Sequence, residues 1–419
     1  MESNLYNEVL EVNRDIYSRY SQEYLERTRN GHTNYLNEFI ARFVESLSGK
    51  VVFDLGCGPG RDLEYFTNKG LDAIGVDCSE GMLEICRSKN LKVCNCDFMN
   101  MKYEENSIDG IWAYTSHTVI PKQEFSLLLD RYRHALKSDT GILALGMIEG
   151  EFEGWKKDGK YDGARRYVSR YSFSELEGLL RGKFGTVIIE RVPVDNKVYI
   201  HCLCKNTKIA KKEDTADAAK RIFDKFSDQY LQNTQTGIAL LEEDRLIFSD
   251  YLKKFNHNPK VLDIGCGPGR DLVELKKLGL NVTGIDISQT NIENCKKQGM
   301  EAIVGDIYKL SDYYENDTFD GVWCNCSVTN WIVREELHNV FKMIKDIVKP
   351  NGYIFVGSVL GGFVGWETDA KYERMKRYNN HWDIDELRFY MSKLGKVIYE
   401  RELKNTGKKD YVNMVIVNE

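Results

Sequence analysis

The sequence predicts an α/β protein made of two tandem doubly wound sheets, each mostly parallel with an antiparallel hairpin at one edge. Three observations support this fold class. A glycine-rich segment occurs twice, the segments around it recur in the same order, and short apolar runs alternate with helical stretches in both copies. The 419 residues provide for two domains of ordinary size.

The glycine-rich segment is the centre of the repeat. Residues 54–62 read DLGCGPGRD, and residues 263–271 read DIGCGPGRD, 209 positions later. The segment IYSRYSQEYLERT at 16–28 likewise returns as IFDKFSDQYLQNT at 222–234. A period of this length indicates duplicated domains rather than a solenoid of short repeats.

The two copies define the expected domain boundaries. We place the first domain at 1–207 and the second at 218–419. The segment 208–217 between them is polar and charged and has no periodic apolar residues, so we expect it to be a linker.

Short apolar runs separated by helical stretches predict a parallel sheet with helices on both faces in each copy. In the first copy these runs lie at 50–55, 71–76, 91–96, 108–114 and 142–148. Each copy then ends in two closely spaced apolar runs, at 185–194 and 197–204, and at 395–401 and 411–417. This ending predicts an antiparallel edge hairpin.

Composition restricts the class of protein and of partner. Hydrophobic residues make up 42% and charged residues 29%, as in ordinary globular proteins, and the net charge is −6. This charge disfavours nucleic acid as a main partner. No signal sequence and no run of 18 apolar residues occurs, so we expect a cytoplasmic protein with no membrane partner.

The 11 cysteines are expected to remain reduced. They include three C-x-C pairs, Cys94/Cys96, Cys202/Cys204 and Cys324/Cys326. Alternate residues of a strand share one face, so these pairs are expected to fill cores, with metal or metalloid binding as the alternative. The C-x₂-C spacing of structural zinc sites is absent and no metal site is predicted.

The glycines of the repeat predict a ligand site at the carboxyl end of the sheet. A strand ending in an acid, Asp54 or Asp263, is followed by Gly-x-Gly-x-Gly and a helix. Such a loop allows close approach of the backbone to a ligand. The G-x-G-x-x-G spacing of dinucleotide-binding loops is absent, so a cofactor without phosphates fits better.

Acidic residues follow the next two strands in each copy. Asp77 and Asp286 come 17 residues after the last loop glycine and can accept hydrogen bonds from ribose hydroxyls. Asp97 and Asp306 can accept from an adenine amino group while the next residue, Phe98 or Ile307, packs on the ring. The alternative for each is a solvated turn aspartate.

This ordered set resembles the class I S-adenosylmethionine-dependent methyltransferases, which have Rossmann-like domains, over nearly all of both halves. More narrowly, GCGPGRD and the segment GEFEGW…RRYVSRYSFSEL resemble a bacterial subgroup that acts on small molecules. The resemblance implies S-adenosylmethionine as cofactor, S-adenosylhomocysteine as product, and cofactor contacts from Tyr24, Asp54, Gly56, Gly58, Gly60, Arg61, Asp77, Cys78, Asp97, Phe98 and Thr115, and from Tyr230, Asp263, Gly265, Gly267, Gly269, Arg270, Asp286, Ile287, Asp306, Ile307 and Cys326. Tyr24 and Tyr230 either close over the methionine end or pack in a core.

Methyl transfer requires a nucleophile held in line with the methyl group, and a base only if the nucleophile arrives protonated. In the subgroup the loop after the fourth strand carries a histidine, which falls on Val119 and Asn330 here. His117 is therefore the candidate catalytic base of the first copy, with a structural histidine as the alternative.

The segment after the fifth strand is expected to form a lid over the acceptor. In the first copy, two acids, aromatic walls and an arginine clamp are available. The candidate acceptor contacts are Glu149, Glu151, Trp155, Arg166 and Tyr171 in the first copy, and Asn330, Trp366, Arg377 and Trp382 in the second. The alternative for the two acids is an exposed loop.

The sequence thus predicts a methyltransferase acting on an oxygen or nitrogen of a small molecule, with a cofactor site in each domain. One alternative is a single catalytic domain with a regulatory, non-catalytic partner, the second domain being the passive one because it lacks both acids and the histidine. Others are a binding module without turnover and a nucleic-acid or protein methyltransferase. The tandem arrangement also allows intramolecular pairing of the two domains.

Overall fold

The computed structural model describes residues 4–28, 34–234, 237–404 and 409–419. The chain divides into two compact units, Met1–Ile209 and Ala210–Glu419, called the first and second domain below. The predicted linker 208–217 is too long, because a helix begins at Lys212. Glu213 and Asp214 in its first turn favour this start through their interaction with the helix dipole.

The strands of the first domain are β1 (Val51–Leu55), β2 (Asp72–Asp77), β3 (Val93–Asn95), β4 (Gly110–Tyr114), β5 (Ile142–Ile148), β6 (Glu153–Asp158), β7 (Ala164–Ser169), β8 (Thr186–Val194) and β9 (Lys197–Lys205). Seven of them lie side by side in the order β8-β9-β5-β4-β1-β2-β3. Strand β9 is antiparallel to β5 and β8, and the other pairings of the seven are parallel. Strands β6 and β7 form a separate antiparallel hairpin. The predicted fold class is confirmed.

Helices cover both faces of this sheet. They are α1 (Asn4–Arg19), α2 (Ser21–Thr28), α3 (Asn34–Ser46), α4 (Arg61–Asn68), α5 (Glu80–Ser88), α6 (Lys122–Ala135) and α7 (Phe173–Arg181). Side chains alternate across the sheet, so Ile111 and Ala113 of β4 join one core and Trp112 joins the other. The two cores hold the carboxyl ends of the strands at one edge.

The second domain repeats this arrangement. Its strands are β10 (Lys260–Ile264), β11 (Asn281–Asp286), β12 (Glu301–Val304), β13 (Phe319–Asn325), β14 (Val348–Val359), β15 (Phe363–Asp369), β16 (Met375–Asn380), β17 (Lys396–Leu403) and β18 (Tyr411–Val417). Seven of them lie in the order β12-β11-β10-β13-β14-β18-β17, and β15 and β16 form an antiparallel hairpin. The order matches that of the first domain strand for strand.

The helices of the second domain differ mainly at its start. They are α8 (Lys212–Thr234), α9 (Gly237–Leu240), α10 (Glu242–Lys253), α11 (Arg270–Lys277), α12 (Gln289–Lys297), α13 (Val328–Trp331), α14 (Leu337–Ile347) and α15 (Ile384–Leu394). Helix α8 contains a kink at Phe226, where φ is −118° and ψ is 18°. It therefore corresponds to α1 and α2 of the first domain.

The cysteine pairs follow the prediction only in part. Cys202, Cys204 and Cys324 are buried, but Cys94 is exposed because β3 lies at the edge of its sheet. In the described parts of the chain, no helix has both the length and the apolar character that crossing a membrane requires.

Candidate active site

The glycine loops join β1 to α4 and β10 to α11, and their first glycines adopt a left-handed backbone. Gly56 has φ 73° and Gly265 has φ 68°. A Cβ atom at Gly56 would lie 2.3 Å from the Cβ of Ser116, and at Gly265 2.5 Å from that of Ser327. Only glycine fits here, because the loop packs directly against the segment that follows the fourth strand.

A carboxylate at the end of β2 and of β11 is held by backbone donors. Gly58 N donates to Asp77 Oδ2 at 3.0 Å and Ser79 N to Oδ1 at 2.9 Å. Gly267 N donates to Asp286 Oδ2 at 2.9 Å. Burial raises the pKa of both carboxyls, and the backbone hydrogen bonds oppose this rise. Each acid is thereby fixed beside its glycine loop.

A pocket lies at the carboxyl edge of the sheet in each domain. The predicted cofactor residues that line them are Tyr24, Gly56, Gly58, Asp77, Cys78, Asp97, Phe98 and Thr115 in the first, and Tyr230, Gly265, Gly267, Asp286, Ile287, Asp306, Ile307 and Cys326 in the second. The two sets occupy corresponding positions. Their position, outside the carboxyl ends of the strands, is that of a ligand site in an α/β fold.

Thr115 and Cys326 are distinctive members of these sets. They directly follow β4 and β13 and have φ of 55° and 52°, an uncommon conformation for residues other than glycine. Thr115 N and Cys326 N donate to the carbonyls of Gly146 and Gly357, at 2.7 Å and 2.9 Å, which fixes this turn. Both domains thus maintain the same strained backbone at the pocket wall.

The remaining predicted cofactor residues lie behind the pocket wall. These residues are Asp54, Gly60, Arg61, Asp263, Gly269 and Arg270. Asp54 is 3% exposed and its Oδ2 has no hydrogen-bond partner among the described residues. Burial and the nearby Asp62 raise its pKa well above the usual range. Arg61 forms an ion pair with Asp62 at 2.7 Å, and Arg270 pairs with Asp271 in the same way.

Helix α1 supplies pocket residues that the sequence did not predict: Tyr6, Val9, Leu10, Asn13, Arg14 and Tyr17. Their three- and four-residue spacing is that of one helix face, and this was the signal available in the sequence. The Tyr6 hydroxyl donates to Asp97 Oδ1. The second domain supplies Thr215, Ala216, Ala219 and Phe223 from α8 instead.

Asn13 tests whether the first pocket fits a polar ligand. The residue is 5% exposed, lines the pocket, and neither its amide nitrogen nor its amide oxygen has a hydrogen-bond partner among the described residues. Leaving such a buried amide unpaired costs about 1–3 kcal/mol. A nucleoside-type ligand with hydroxyl and amino groups fits this environment, in agreement with the cofactor that the resemblance implies.

His117 does not have the position of a catalytic base. It is fully buried, its Nε2 lies 2.6 Å from the Tyr132 hydroxyl, and its Nδ1 lies 2.9 Å from Ser116 Oγ. Its ring stacks on Phe98 at 5.1 Å, and burial lowers its pKa to about 3. His117 is a core residue behind the pocket because both ring nitrogens have partners within the domain.

The predicted lid of the first domain forms only in part. Arg166 of β7 pairs with Asp158 at 2.7 Å and donates to the Tyr17 hydroxyl at 2.5 Å, which joins the hairpin to α1. Trp155 packs on Tyr167 at a ring distance of 5.5 Å. The other three predicted contacts lie elsewhere.

Neither predicted acid of the first domain lines the pocket. Glu149 is ion-paired to Arg191 at 3.1 Å, and Glu151 is exposed. Tyr171 is 1% exposed and packs on Phe125, so it belongs to the core rather than to a lid. The tertiary partners of each side chain decide its direction.

Of the four acceptor contacts predicted in the second domain, Arg377 alone comes close to the pocket. It pairs with Glu367 and Asp369, each at 2.9 Å, and lies 5.7 Å from the ring of Trp331, which lines the pocket. The structure places the other predicted contacts away from the wall: Asn330 is 4% exposed and accepts from Thr329, Trp366 packs on Tyr378, and Trp382 is fully buried beneath Arg334.

Comparisons with known proteins agree with this geometry. Two family models described as a methyltransferase domain match residues 52–139 and residues 262–356. Each match includes a glycine loop, the acid after the second strand and the loop after the fourth strand.

Individual relatives match only parts of the chain. A tRNA (carboxymethyluridine(34)-5-O)-methyltransferase of Xenopus tropicalis is 28% identical over 125 residues, covering 29% of this chain and 19% of that protein. A ubiquinone biosynthesis O-methyltransferase of Actinobacillus pleuropneumoniae serotype 7 (strain AP76) is 29% identical over 131 residues, covering 29% of this chain and 55% of that protein. The matches therefore span about a fifth and about half of these relatives.

A solved structure with a similar chain is the 1,6-didemethyltoxoflavin-N1-methyltransferase of Burkholderia thailandensis, which holds S-adenosylhomocysteine. It is 16% identical with a TM-score of 0.39, covering 55% of this chain and 95% of that chain. The family matches, the duplicated fold and the two matched pockets lead to one conclusion. Each half of the chain contains a methyltransferase domain with a Rossmann-like fold.

Proposed function

We propose that each domain binds one S-adenosylmethionine and that the enzyme methylates an oxygen or nitrogen of a small-molecule acceptor. One observation carries the proposal: both domains build the same pocket from corresponding residues. In each, a carboxylate, the partly buried Asp77 or the buried Asp286, is held by two backbone N–H groups beside a glycine loop. When bound, the cofactor supplies an activated methyl group.

Different residues of the pocket bind different parts of the cofactor. Asp77 accepts hydrogen bonds from the ribose hydroxyls, and Asp97 accepts from the adenine amino group beside Phe98. Tyr24 covers the glycine loop, since a Cβ atom at Gly58 would lie 3.9 Å from its ring. Tyr230 covers Gly267 in the same way, and burial raises its pKa to about 12, so its hydroxyl remains protonated.

The cover over the first pocket favours a small acceptor. Helix α1 lines the pocket with one whole face, and the Tyr17–Arg166 hydrogen bond ties it to the β6–β7 hairpin. A covered pocket excludes water and holds a small nucleophile in line with the methyl group. RNA is the second candidate acceptor, because one relative is a tRNA methyltransferase.

Cofactor stoichiometry tests the two-site proposal. We expect calorimetric titration with S-adenosylmethionine to give two sites per chain, with one lost in Asp77→Ala and the other in Asp286→Ala. Asp72→Ala is the matched control, because Asp72 lies exposed at the start of β2 and pairs with Lys92. A total of one site per chain would contradict the proposal.

The same two variants test which domain is catalytic. Release of S-adenosylhomocysteine is measured for each variant with a metabolite extract and with bulk tRNA as acceptor. We expect product from the extract with both variants. Turnover in only one variant would support a catalytic domain with a regulatory partner, and turnover with tRNA alone would establish an RNA methyltransferase.

A further inference from the structure

Three aromatic residues form one wall of the second pocket, called the aromatic wall below. They are Phe223 and Tyr230 of α8 and Trp331, the last residue of α13, and all three line the pocket. The Phe223 ring lies 5.2 Å from the Tyr230 ring, at 83° to it, and 5.1 Å from the Trp331 ring. All three residues are partly exposed, so their rings offer open aromatic surface to the pocket.

The aromatic wall lies away from the end of the pocket that the nucleoside residues mark. Asp286 ends β11 and Asp306 comes two residues after β12, whereas Trp331 follows β13, and β10 separates β13 from those two strands. Tyr230 reaches over the glycine loop in between, since a Cβ atom at Gly267 would lie 3.7 Å from its ring. The wall therefore borders the part of the pocket that remains for an acceptor.

The first domain forms this part of its pocket from other side chains. Ile120 takes the place of Trp331, because each lies five residues after the left-handed residue that follows the fourth strand. Ile120 is 1% exposed and adds little surface to its pocket. On the helix that covers the pocket, Asn13 lines the first site where Ala219 lines the second. The first pocket thus offers an amide, and the second offers aromatic surface.

The hairpin arginines of the two domains differ in the same region. In the first domain Arg166 donates to the Tyr17 hydroxyl at 2.5 Å. Phe223 takes the place of Tyr17 and has no hydroxyl. Arg377 instead pairs with two acids of β15, each at 2.9 Å, and lies 5.7 Å from the Trp331 ring. Because this ring already has a cation beside it, a neutral ligand fits the wall better than a second cation.

We propose that the aromatic wall binds the acceptor of the second domain and selects an uncharged planar ring, a phenol or a nitrogen heteroaromatic. Aromatic rings attract one another in offset-stacked and edge-to-face arrangements, beyond the gain from the area that they bury. A saturated ring of the same size is puckered and lacks this attraction. The inference rests on the proposed function and deepens it, because it names the acceptor class of one site.

Two probes with the same carbon skeleton test this selectivity. The flat 2-naphthol and the saturated 2-decalol each carry one hydroxyl group. Their binding is measured by saturation-transfer-difference NMR in full-chain Asp77→Ala, which leaves only the second cofactor site, with S-adenosylhomocysteine present. We expect 2-naphthol to bind about tenfold more tightly than 2-decalol. Equal affinities would overturn the inference, and so would tighter binding of tetramethylammonium, which would indicate a cation site.

Substitutions in the aromatic wall locate the bound ring. Trp331→Ile copies the first domain and should weaken 2-naphthol binding by about fivefold, whereas Trp331→Phe keeps a ring and should retain most of the affinity. Phe223→Leu provides a second test and should weaken binding as well. Phe389→Ile is the control, because Phe389 is 59% exposed on α15 and should leave the affinity unchanged. Unchanged 2-naphthol affinity in both Trp331→Ile and Phe223→Leu would overturn the inference.

Calorimetric titration of the same proteins with S-adenosylmethionine separates this inference from the proposed function. The wall variants should keep the cofactor affinity of the second site, which also shows that the pocket is folded. Loss of cofactor binding in both Trp331→Ile and Phe223→Leu, with unchanged thermal unfolding, would overturn the inference, because the wall would then contact the cofactor. Absence of cofactor binding in the Asp77→Ala parent would instead contradict the proposed function, while the affinities of 2-naphthol and 2-decalol would still test the wall.

Discussion

At the end of its fifth strand the first domain carries Glu149 paired with Arg191, whereas the second carries Leu360 beside His381 and Lys409. A few residues away, the glycine loops and their buried carboxylates are nearly identical. The acceptor sides differ while the glycine loops do not, because different features of the chain determine the two parts of the site. The cofactor side is determined by backbone conformations and backbone hydrogen bonds that few substitutions can satisfy. The acceptor side is formed by side chains, whose charge and shape can change with a single substitution.

The cores behind the pockets also carry different side chains at matching backbone positions. In the first domain His201 stacks on Phe39 at a ring distance of 4.1 Å. In the second domain Asn413, paired with Gly357 as His201 is with Gly146, donates to the buried Asp244 at 2.8 Å. Each network satisfies its own polar groups, so single substitutions should affect the two domains unequally.

The largest predicted effect concerns a cation that holds α15 in the second domain. Arg334 is 5% exposed, pairs with the buried Glu386 and lies 3.9 Å from the ring of Trp382. Arg334→Ala should lower the free energy of unfolding by about 3–5 kcal/mol, because it leaves a carboxylate buried without its cation. Urea denaturation of the full chain measures this loss.

The first domain contains the matched control for this substitution. Lys122 pairs with Glu175 and lies 4.8 Å from the ring of Tyr171, but both charged groups remain partly exposed. Lys122→Ala should therefore cost only about 0–1 kcal/mol. Equal losses of unfolding free energy in the two variants would show that burial of the Arg334–Glu386 pair does not make it more stabilising than the Lys122–Glu175 pair.

A smaller effect is expected in the acid sensitivity of the first domain. Burial, and then the charge of Arg42, lower the pKa of His201 to about 4. Because the folded-state pKa lies below the unfolded value of about 6.5, stability from the neutral ring is fully present above pH 6.5 and is lost as the pH falls toward 4. The loss approaches about 1.4 kcal/mol per pH unit within this window.

His201→Asn, which copies Asn413 of the second domain, should flatten this dependence. Unfolding free energies of the variant and the parent, measured in urea between pH 7.5 and 4.5, should converge as the pH falls. His134→Asn is the control, because His134 is exposed and should leave the slope unchanged. Parallel curves for His201→Asn and the parent would show that this ring does not limit acid stability.

The sequence predicted the features that local rules determine. The repeat and the apolar runs indicated a mostly parallel sheet with an antiparallel edge hairpin in each domain, and the glycine spacing indicated Asp77 and Asp286. The roles predicted for His117 and Tyr171 were wrong, because a loop side chain with suitable chemistry can point into the core instead of the pocket. The His381–Lys409 contact could not be predicted, since it depends on where β16 and β18 end relative to β14.

The smallest predicted effect concerns cofactor affinity at the first site. Asn13 of α1 lines the first pocket, and both its amide atoms are unpaired among the described residues, while Ala219 of α8 lines the second pocket from the matching helix. Asn13→Ala should weaken binding of S-adenosylmethionine at the first site by about fivefold, the equivalent of one hydrogen bond of about 1 kcal/mol. It should also raise the melting temperature of the ligand-free chain slightly, because a buried unpaired amide is removed. The second site serves as the internal control in the same calorimetric titration and should keep its affinity. A raised melting temperature with unchanged affinity at the first site would mean that the Asn13 amide does not contact the cofactor, and that α1 acts there through its apolar residues alone.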